Sequence, residues 1–179
     1  PISHQLAGLK ELSEKIHNKN LKTYIACNLR FLAVLVFLKE QICNKQINEV
    51  SVYSGSSLPD WRPGVDYKTS YSADVKRGGG VHLDLFHELD YLYWLFGKPI
   101  FSRGIIRNVS SLGINAADFA NYLLFYRNFT TSVTLNYYRP SPKRTVEIVF
   151  DNTTWTVDLL KNNITDGNGM IIFEDTAYS

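Results

Sequence analysis

The sequence has little of what marks a secreted, membrane-bound or nucleic-acid-binding protein. Only two cysteines, Cys27 and Cys43, occur in 179 residues, too few for the disulfide framework of a small secreted domain. The net charge is +2 and no run of lysines and arginines exists, so no nucleic-acid-binding surface is expected. The apolar run at 31–38 is too short to span a bilayer. We therefore predict a cytoplasmic protein with free, buried thiols that binds neither nucleic acid nor membrane.

The order of hydrophobic patterns along the chain indicates an α+β fold. Helices are predicted from a Ser3 cap to about residue 18 and over 31–43, and strands over 21–27 and 47–54. Further strands are predicted at 100–109, 117–125, 130–138, 145–150, 155–160 and 170–174. Short turns at 127–128, 141–143 and 151–152 require antiparallel neighbours. We therefore expect a mostly antiparallel open sheet of about six strands with helices packed on one face.

A glycine-rich segment followed by charged residues carries the most chemical information. Three glycines at 78–80 lead into a helical pattern that contains Asp84, His87 and Glu88. Helix residues three or four apart share a face, so Asp84 can lie beside either neighbour. A carboxylate beside an imidazole is a workable proton-transfer pair. A solvated helix face is the simpler alternative. The many apolar residues of this helix argue against it, because they predict burial, where charges must be paired or used.

The connection at 55–80 is long and rich in glycine, proline, serine and tyrosine. Loops of this length in compact domains are usually functional or disordered, and Trp61, Tyr67 and Tyr71 argue against disorder. These aromatic residues either pack the loop onto the domain or form a wall that stacks on sugar rings. Side chains available for contacts with hydroxyls or phosphates are Arg62, Asp66 and Lys68.

The spacing of the histidines argues against a metal site. His82 and His87 are five residues apart, so their rings point apart on a helix. Neither cysteine lies beside a plausible base. We therefore expect no bound metal and no nucleophilic catalysis.

Four segments in consistent order resemble the Gfo/Idh/MocA family of NAD(P)-dependent oxidoreductases. The most extensive is 78–97, which combines the glycines with Asp84, His87, Glu88 and a Trp-Leu-Phe-Gly end. Pro-Ile-Ser-His at 1–4 is similar to the continuation of the family's Glu-Lys-Pro motif. Asn-Leu-Arg-Phe at 28–31 is similar to its domain-crossing segment. Residues 58–63 and 71–73 are similar to the substrate loop of its sugar-acting members.

The resemblance implies that residues 1–30 are the end of a dinucleotide-binding domain and that 31–179 form a C-terminal substrate and oligomerisation domain. It implies an enzyme that uses NAD or NADP to move a hydride between nicotinamide and a sugar or sugar-derived alcohol or ketone. His87 is then the general base, supported by Asp84, and a lysine expected just before Pro1 polarises the substrate oxygen. The residues expected to contact the substrate are Arg30, Trp61, Arg62, Tyr138 and Arg139.

The chain departs from the family pattern in three ways. The dinucleotide fingerprint Gly-x-Gly-x-x-Gly is absent, and so is the expected lysine. We therefore expect this chain alone to be inactive and to bind no nicotinamide cofactor tightly. His87 follows Asp84 by three residues where the family usually has four, which leaves open whether His87 or Glu88 faces the substrate.

The main alternative is a protein of another class. An open antiparallel sheet has one face that must be solvated or covered by a partner. The chain would then be a non-catalytic module that forms homo-oligomers through this sheet, and Asp84 and His87 would be relics. Both hypotheses can hold together, and a glycine-rich fingerprint upstream of Pro1 would decide for an oxidoreductase.

Overall fold

The computed structural model describes Ser3 and residues 5–175, which form one open sheet with helices. The helices are α1 Leu9–Asn18, α2 Ala33–Ile42, α3 Val81–Asp84 and α4 His87–Phe96. The strands are β1 Ile47–Ser57, β2 Phe101–Arg107, β3 Phe119–Phe125, β4 Thr130–Asn136, β5 Tyr138–Phe150, β6 Thr154–Asp158, β7 Asn163–Asp166 and β8 Ile171–Glu174. The strand order is β2-β3-β4-β1-β5-β6-β7-β8. Every described strand pair is antiparallel except β1–β4. The α+β fold is confirmed, with eight strands instead of about six.

One face of the sheet forms the core, because apolar and polar residues alternate along the strands. A row of aliphatic side chains crosses five adjacent strands and is almost completely buried: Val133, Val52, Val146, Val157 and Ile164. Helices α2 and α4 pack against this core through Val34, Leu35, Leu38, Tyr91 and Leu92. The opposite face, which we call the open face, carries mainly serine, threonine and charged residues in its centre.

Three predicted strand segments differ from the structure. Residues 21–27 form no described strand, because an apolar alternation gives a strand only where a partner strand lies beside it. The predicted turn at 141–143 belongs to β5, where Lys143 pairs with Gly55 and Tyr138 with Ser57 across a register shift that accommodates the prolines. Strand β7 was missed because only four residues separate its flanking turns.

The helix predicted from 81 onward is two helices. Helix α3 ends at Asp84, and Leu85 has φ −95° and ψ 32°, outside the helical range. Helix α4 begins at His87. The break changes the direction of the chain, so the residues after it no longer follow the helical face of Asp84.

The N-terminal segment lies apart from the core. Helix α1 buries none of its residues. It begins after Gly8, so Ser3 does not cap it as predicted, although its Oγ accepts a hydrogen bond from the Gln5 amide. The remaining residues of the 1–4 motif lie outside the described part of the chain.

Both cysteines are free, but only one is even partly buried. Cys27 is half-buried and Cys43 is exposed, because α2 ends at Ile42 and Cys43 lies beyond its buried face. The prediction of buried thiols is therefore wrong for Cys43. Among the described residues, no helix has the length and apolar character needed to cross a membrane.

Candidate active site

The glycines at 78–80 bring the long loop back against the start of α3. Gly78 and Gly80 have φ values of 83° and 131°, which favour glycine. A Cβ on Gly79 would lie 2.2 Å from the Tyr71 carbonyl oxygen and 2.6 Å from that of Ser72. The close approach predicted for this motif is therefore made to the loop itself. It sets Tyr71 beside α3.

An open cleft of about 330 Å³ lies between this loop and the two short helices. Its lining residues are Ser3, Tyr71, Arg77, Gly78, Leu83, Asp84 and His87. The structure thus brings the predicted carboxylate and imidazole to one cleft, although they lie on separate helices.

Asp84 is held by a buried tyrosine. The Tyr137 hydroxyl donates a hydrogen bond of 2.5 Å to Asp84 Oδ2, and the Trp61 ring packs edge-on against the Tyr137 ring at 5.3 Å between centroids. Burial, and then the adjacent Asp84 carboxylate, raise the pKa of Tyr137. Tyr137 therefore stays a protonated donor, which fixes the Asp84 carboxylate in one orientation.

Glu88 lies outside this cleft. It is completely buried, and its Oε1 accepts a hydrogen bond of 2.6 Å from Arg144 Nε on β5. His87, at the start of α4, lines the cleft instead. The helix break after Asp84 explains why two adjacent residues have such different environments.

Arg30 forms an ion pair that joins two elements. Its Nε and Nη2 atoms donate to Asp90 Oδ2 and Oδ1 at 2.8 and 2.5 Å. This two-point pair raises the pKa of Arg30 and holds the pKa of Asp90 below its usual value. It ties the turn Asn28–Phe31 to α4. Arg30, which was predicted to contact the substrate, is thus paired with Asp90 and does not line the cleft.

Trp61 and Arg62 lie near the cleft. The Trp61 indole nitrogen donates to Ser56 Oγ at 2.8 Å, and its ring supports Tyr137 from behind. The Arg62 guanidinium lies 5.4 Å from the centroid of the Tyr71 ring. Trp61 thus packs the loop onto the domain, whereas Tyr71 lines the cleft, and its stacking on a sugar ring stays a prediction.

Tyr138 and Arg139 lie elsewhere. The Arg139 guanidinium lies 5.0 Å from the centroid of the Tyr53 ring, and Tyr53 is on the open face because it alternates with the buried Val52 and Ser54. The pKa of Tyr138 is raised mainly by its burial. Neither residue lines the cleft.

Three residues of the site were not selected from the sequence. Tyr137 could have been found because it continues the buried alternation of β4. Tyr71 was recognised only as one of several loop aromatics, and Arg77 only as part of a basic pair. No sequence signal indicated that the glycines would bring Arg77 and Tyr71 to Asp84.

The described residues hold no group of three or more side chains placed to bind one metal ion. His82 packs beside Gly80, and burial lowers its pKa. The chain's glycine loop does not fit a dinucleotide either, since Gly79 is packed on the Tyr71 backbone.

The fold is that of known oxidoreductases. UDP-N-acetylglucosamine 3-dehydrogenase GnnA from Acidithiobacillus ferrooxidans aligns at 18% identity with a TM-score of 0.66, over 93% of this chain and 51% of GnnA. The WlbA dehydrogenase from Bordetella pertussis, solved with NADH and UDP-GlcNAcA, aligns at 20% identity with a TM-score of 0.73, over 98% of this chain and 54% of WlbA. GenD2 from gentamicin A biosynthesis, solved with NAD, aligns at 21% identity with a TM-score of 0.68, over 93% of this chain and 47% of GenD2.

These structures are of the Gfo/Idh/MocA type, so the fold implied by the sequence resemblance is confirmed. The chain spans about half the length of these relatives. No family model and no curated protein matches the sequence.

Proposed function

We propose that this chain is the substrate-binding and catalytic half of an NAD(P)-dependent oxidoreductase that moves a hydride between nicotinamide and a sugar or sugar-derived alcohol or ketone. The observation that carries the proposal is the pairing of Asp84 and His87 in one cleft. That cleft lies in a fold shared with two dehydrogenases, one of them bound to NADH and a sugar nucleotide.

The chain's own residues supply the proton chemistry. Oxidation of a CH–OH group requires loss of the hydroxyl proton, and His87 accepts it as a general base. Asp84 either holds the imidazole or binds a neighbouring hydroxyl. Tyr137 keeps the Asp84 carboxylate in place, because it donates a hydrogen bond to it. The redox chemistry is that of the nicotinamide.

Residues 1–30 are assigned in this proposal to the end of a dinucleotide-binding domain, and residues 31–179 to the substrate domain. Helix α1 supports the division, because it places Leu9, Leu12 and Ile16 at helical spacing yet buries none of its residues here. Such an apolar face is explained by contact with a domain that precedes it. In this proposal, the lysine that the resemblance implies before Pro1 belongs to that dinucleotide-binding domain.

The test compares this chain with the whole enzyme, meaning this chain joined to the dinucleotide-binding domain that the proposal requires. Calorimetric titration of the chain with NADH and NADPH should give no saturable micromolar binding. The whole enzyme should reduce NAD⁺ or NADP⁺ with a member of a panel of sugars and sugar nucleotides. Micromolar binding by the chain alone would contradict the division into domains. A cofactor-binding whole enzyme that oxidises nothing in the panel, and reduces no corresponding ketone, would contradict the reaction.

The open face supports a second role, self-association. Positive charges lie beside Tyr53, where Arg139 and Lys143 approach its ring at 5.0 and 5.3 Å. Negative charges lie toward the other end of the same central strands, at Glu49 and Glu147. A two-fold axis that lies between two stacked open faces and runs perpendicular to the central strands would set the acidic end of one copy against the basic end of the other. A second copy of this chain is thus the partner that we propose.

A further inference from the structure

An arginine and a tyrosine line the cleft, and a second arginine lies against the ring of that tyrosine. Arg77 and Tyr71 line the cleft alongside Asp84 and His87. The Arg62 guanidinium is 5.4 Å from the centroid of the Tyr71 ring. Arg77 Nη1 donates to the Thr69 carbonyl oxygen at 2.8 Å, which fixes the direction of the side chain and leaves its remaining N–H groups for other acceptors.

Within the described residues, neither arginine has a carboxylate partner. The described ion pairs engage Arg30, Arg144 and Lys161. Of the acidic residues of the same loop, Asp66 accepts from the Lys68 amide and Asp74 from the Lys76 amide, and Asp60 is in no described ion pair. Within the described residues, the Arg77 guanidinium in the cleft and the Arg62 guanidinium on the Tyr71 ring are therefore both without an ion pair.

We infer that this cluster is an oxyanion subsite, and that the substrate carries a phosphoryl or carboxylate group at a distance from the hydroxyl that reacts. Guanidinium groups suit such ligands because their planar N–H forks bind two oxygens of one anion. Arg77 and Arg62 would bind the anion while Asp84 and His87 receive the hydroxyl. The inference rests on the proposed function only in identifying this cleft as the substrate cleft.

The experiment measures binding of small probes to the 179-residue chain by chemical-shift titration. The probes are glucose, glucose 6-phosphate, glucuronate and inorganic pyrophosphate. The phosphorylated or carboxylated sugar should bind in the millimolar range or tighter, and glucose should bind at least tenfold more weakly. Arg77→Ala should weaken binding of the anion by about ten- to a hundred-fold, the range for losing a charge-assisted hydrogen bond. Arg62→Ala should weaken it by about three- to tenfold.

The matched control is Arg103→Ala. Arg103 is also exposed and also lies 5.4 Å from an aromatic centroid, that of Phe101, but it is on the edge strand β2. Its replacement should leave binding unchanged. Equal losses in Arg103→Ala and Arg77→Ala would overturn the inference, because they would mean general charge attraction. Absence of binding by every anion, or equal binding of glucose and glucose 6-phosphate, would also overturn it.

Comparison of the probes shows whether the anionic group is a phosphoryl or a carboxylate group. The experiments also distinguish a failure of this inference from a failure of the proposed reaction. Stronger binding of glucose 6-phosphate and pyrophosphate indicates a phosphoryl group, and stronger binding of glucuronate indicates a carboxylate. Specific anion binding combined with no hydride transfer by the whole enzyme would refute the reaction and leave the subsite. Sugar oxidation by an enzyme whose KM does not respond to Arg77→Ala would refute the subsite and leave the reaction.

Discussion

At the scale of single residues, His87 and Glu88 are neighbours in sequence with opposite environments. His87 lines the cleft with Asp84, whereas Glu88 is buried against Arg144. Replacement of His87 is therefore predicted to affect catalysis, and replacement of Glu88 is predicted to affect stability.

The first prediction concerns the proposed proton-transfer pair. In the whole enzyme, His87→Ala should lower kcat by about 10²–10⁴-fold, the range for losing a general base. Asp84→Asn should lower it by an equal or smaller factor, because the shape remains but the charge that supports an imidazolium is lost. Both variants should melt close to the parent, since neither residue is part of the buried core. If Glu88→Gln abolished turnover while His87→Ala retained it, the assignment of the base would be wrong.

The second prediction concerns Glu88. Glu88→Ala should lower the free energy of unfolding by about 3 kcal/mol, because it leaves the Arg144 charge without its partner in a largely buried place. Denaturant unfolding measures this change. Lys161→Ala is the control, since its ion pair with Asp158 is long at 3.9 Å and exposed, and it should cost at most about 0.5 kcal/mol. A similar small cost for Glu88→Ala would show that the buried pair is not a stabilising contact.

The sequence could indicate which residue types form the site but not how they are oriented. Helical spacing placed Asp84 and His87 together, and they do line one cleft, although they lie on two separate helices. The orientation of Glu88 did not follow from that spacing, because a break of two residues at Leu85 changes the face that follows it. The two-point ion pair between Arg30 and Asp90 joins residues far apart in the chain, which no local pattern can reveal.

At the scale of elements, α4 is held by ion pairs on two sides. Glu88 binds Arg144 on β5, and Asp90 binds Arg30 in the turn before α2. These contacts fix the position of His87, which begins the same helix. The contribution of the ion pair between Asp90 and Arg30 to the free energy of unfolding depends on pH.

The third prediction is acid destabilisation through Asp90. Its folded-state pKa is lowered from 3.8, mainly by the hydrogen bond from Arg30. A depressed carboxyl pKa gives stability that is present above the unfolded pKa and is lost as the pH falls below about 3.8 toward the folded value. Asp90→Asn should therefore lower the free energy of unfolding near neutral pH by about 2 kcal/mol. The free energies of unfolding of the two proteins should converge as the pH falls below about 3.8.

Asp60→Asn is the control for this experiment, because Asp60 is exposed and makes no hydrogen bond within the described part of the chain. Its unfolding free energy should follow the parent at every pH. If the difference in the free energy of unfolding between the parent and Asp90→Asn stayed constant through the acid range, the ion pair would not be the cause of the pH dependence.

Alternation along the strands was the most reliable signal for elements. Thr131, Val133, Leu135 and Tyr137 alternate along one face of the segment predicted as a strand at 130–138, and all four are completely buried. Alternation could not give the strand order, however. The parallel contact between β1 and β4 depends on pairing across most of the domain, and the turn predicted within β5 was wrong because a register shift accommodates Pro140 and Pro142.

At the scale of the whole molecule, the open face remains without a described cover. At its β2–β3 end, Phe101, Ile105 and Leu123 form an exposed apolar group beside Arg103 and Arg107. Its centre carries the charges that a second copy would complement. The apolar group adds a hydrophobic contribution to that contact.

The fourth prediction is that the chain self-associates through this face. Light scattering over a concentration series should show a mass that rises above that of the monomer. Leu123→Glu should abolish the rise, because it places a charge within the proposed contact. Val36→Glu is the matched control, since Val36 is equally exposed at 39% but lies on α2, and it should still associate. A parent that stays monomeric at high concentration would contradict the proposal.

The position of β1 in the middle of the sheet has a consequence for how the chain folds during synthesis. Val50 of β1 pairs with Thr131 on one side and Ile148 on the other, so this strand must wait for partners made much later. At about 5–20 residues per second, that delay is roughly 5–20 s. The hairpins of β2–β4 and β5–β8 form from neighbouring strands and have no such delay. Insertion of β1 between them is therefore the step that closes the sheet, and until it occurs the apolar row on both halves is open to chaperones and to aggregation.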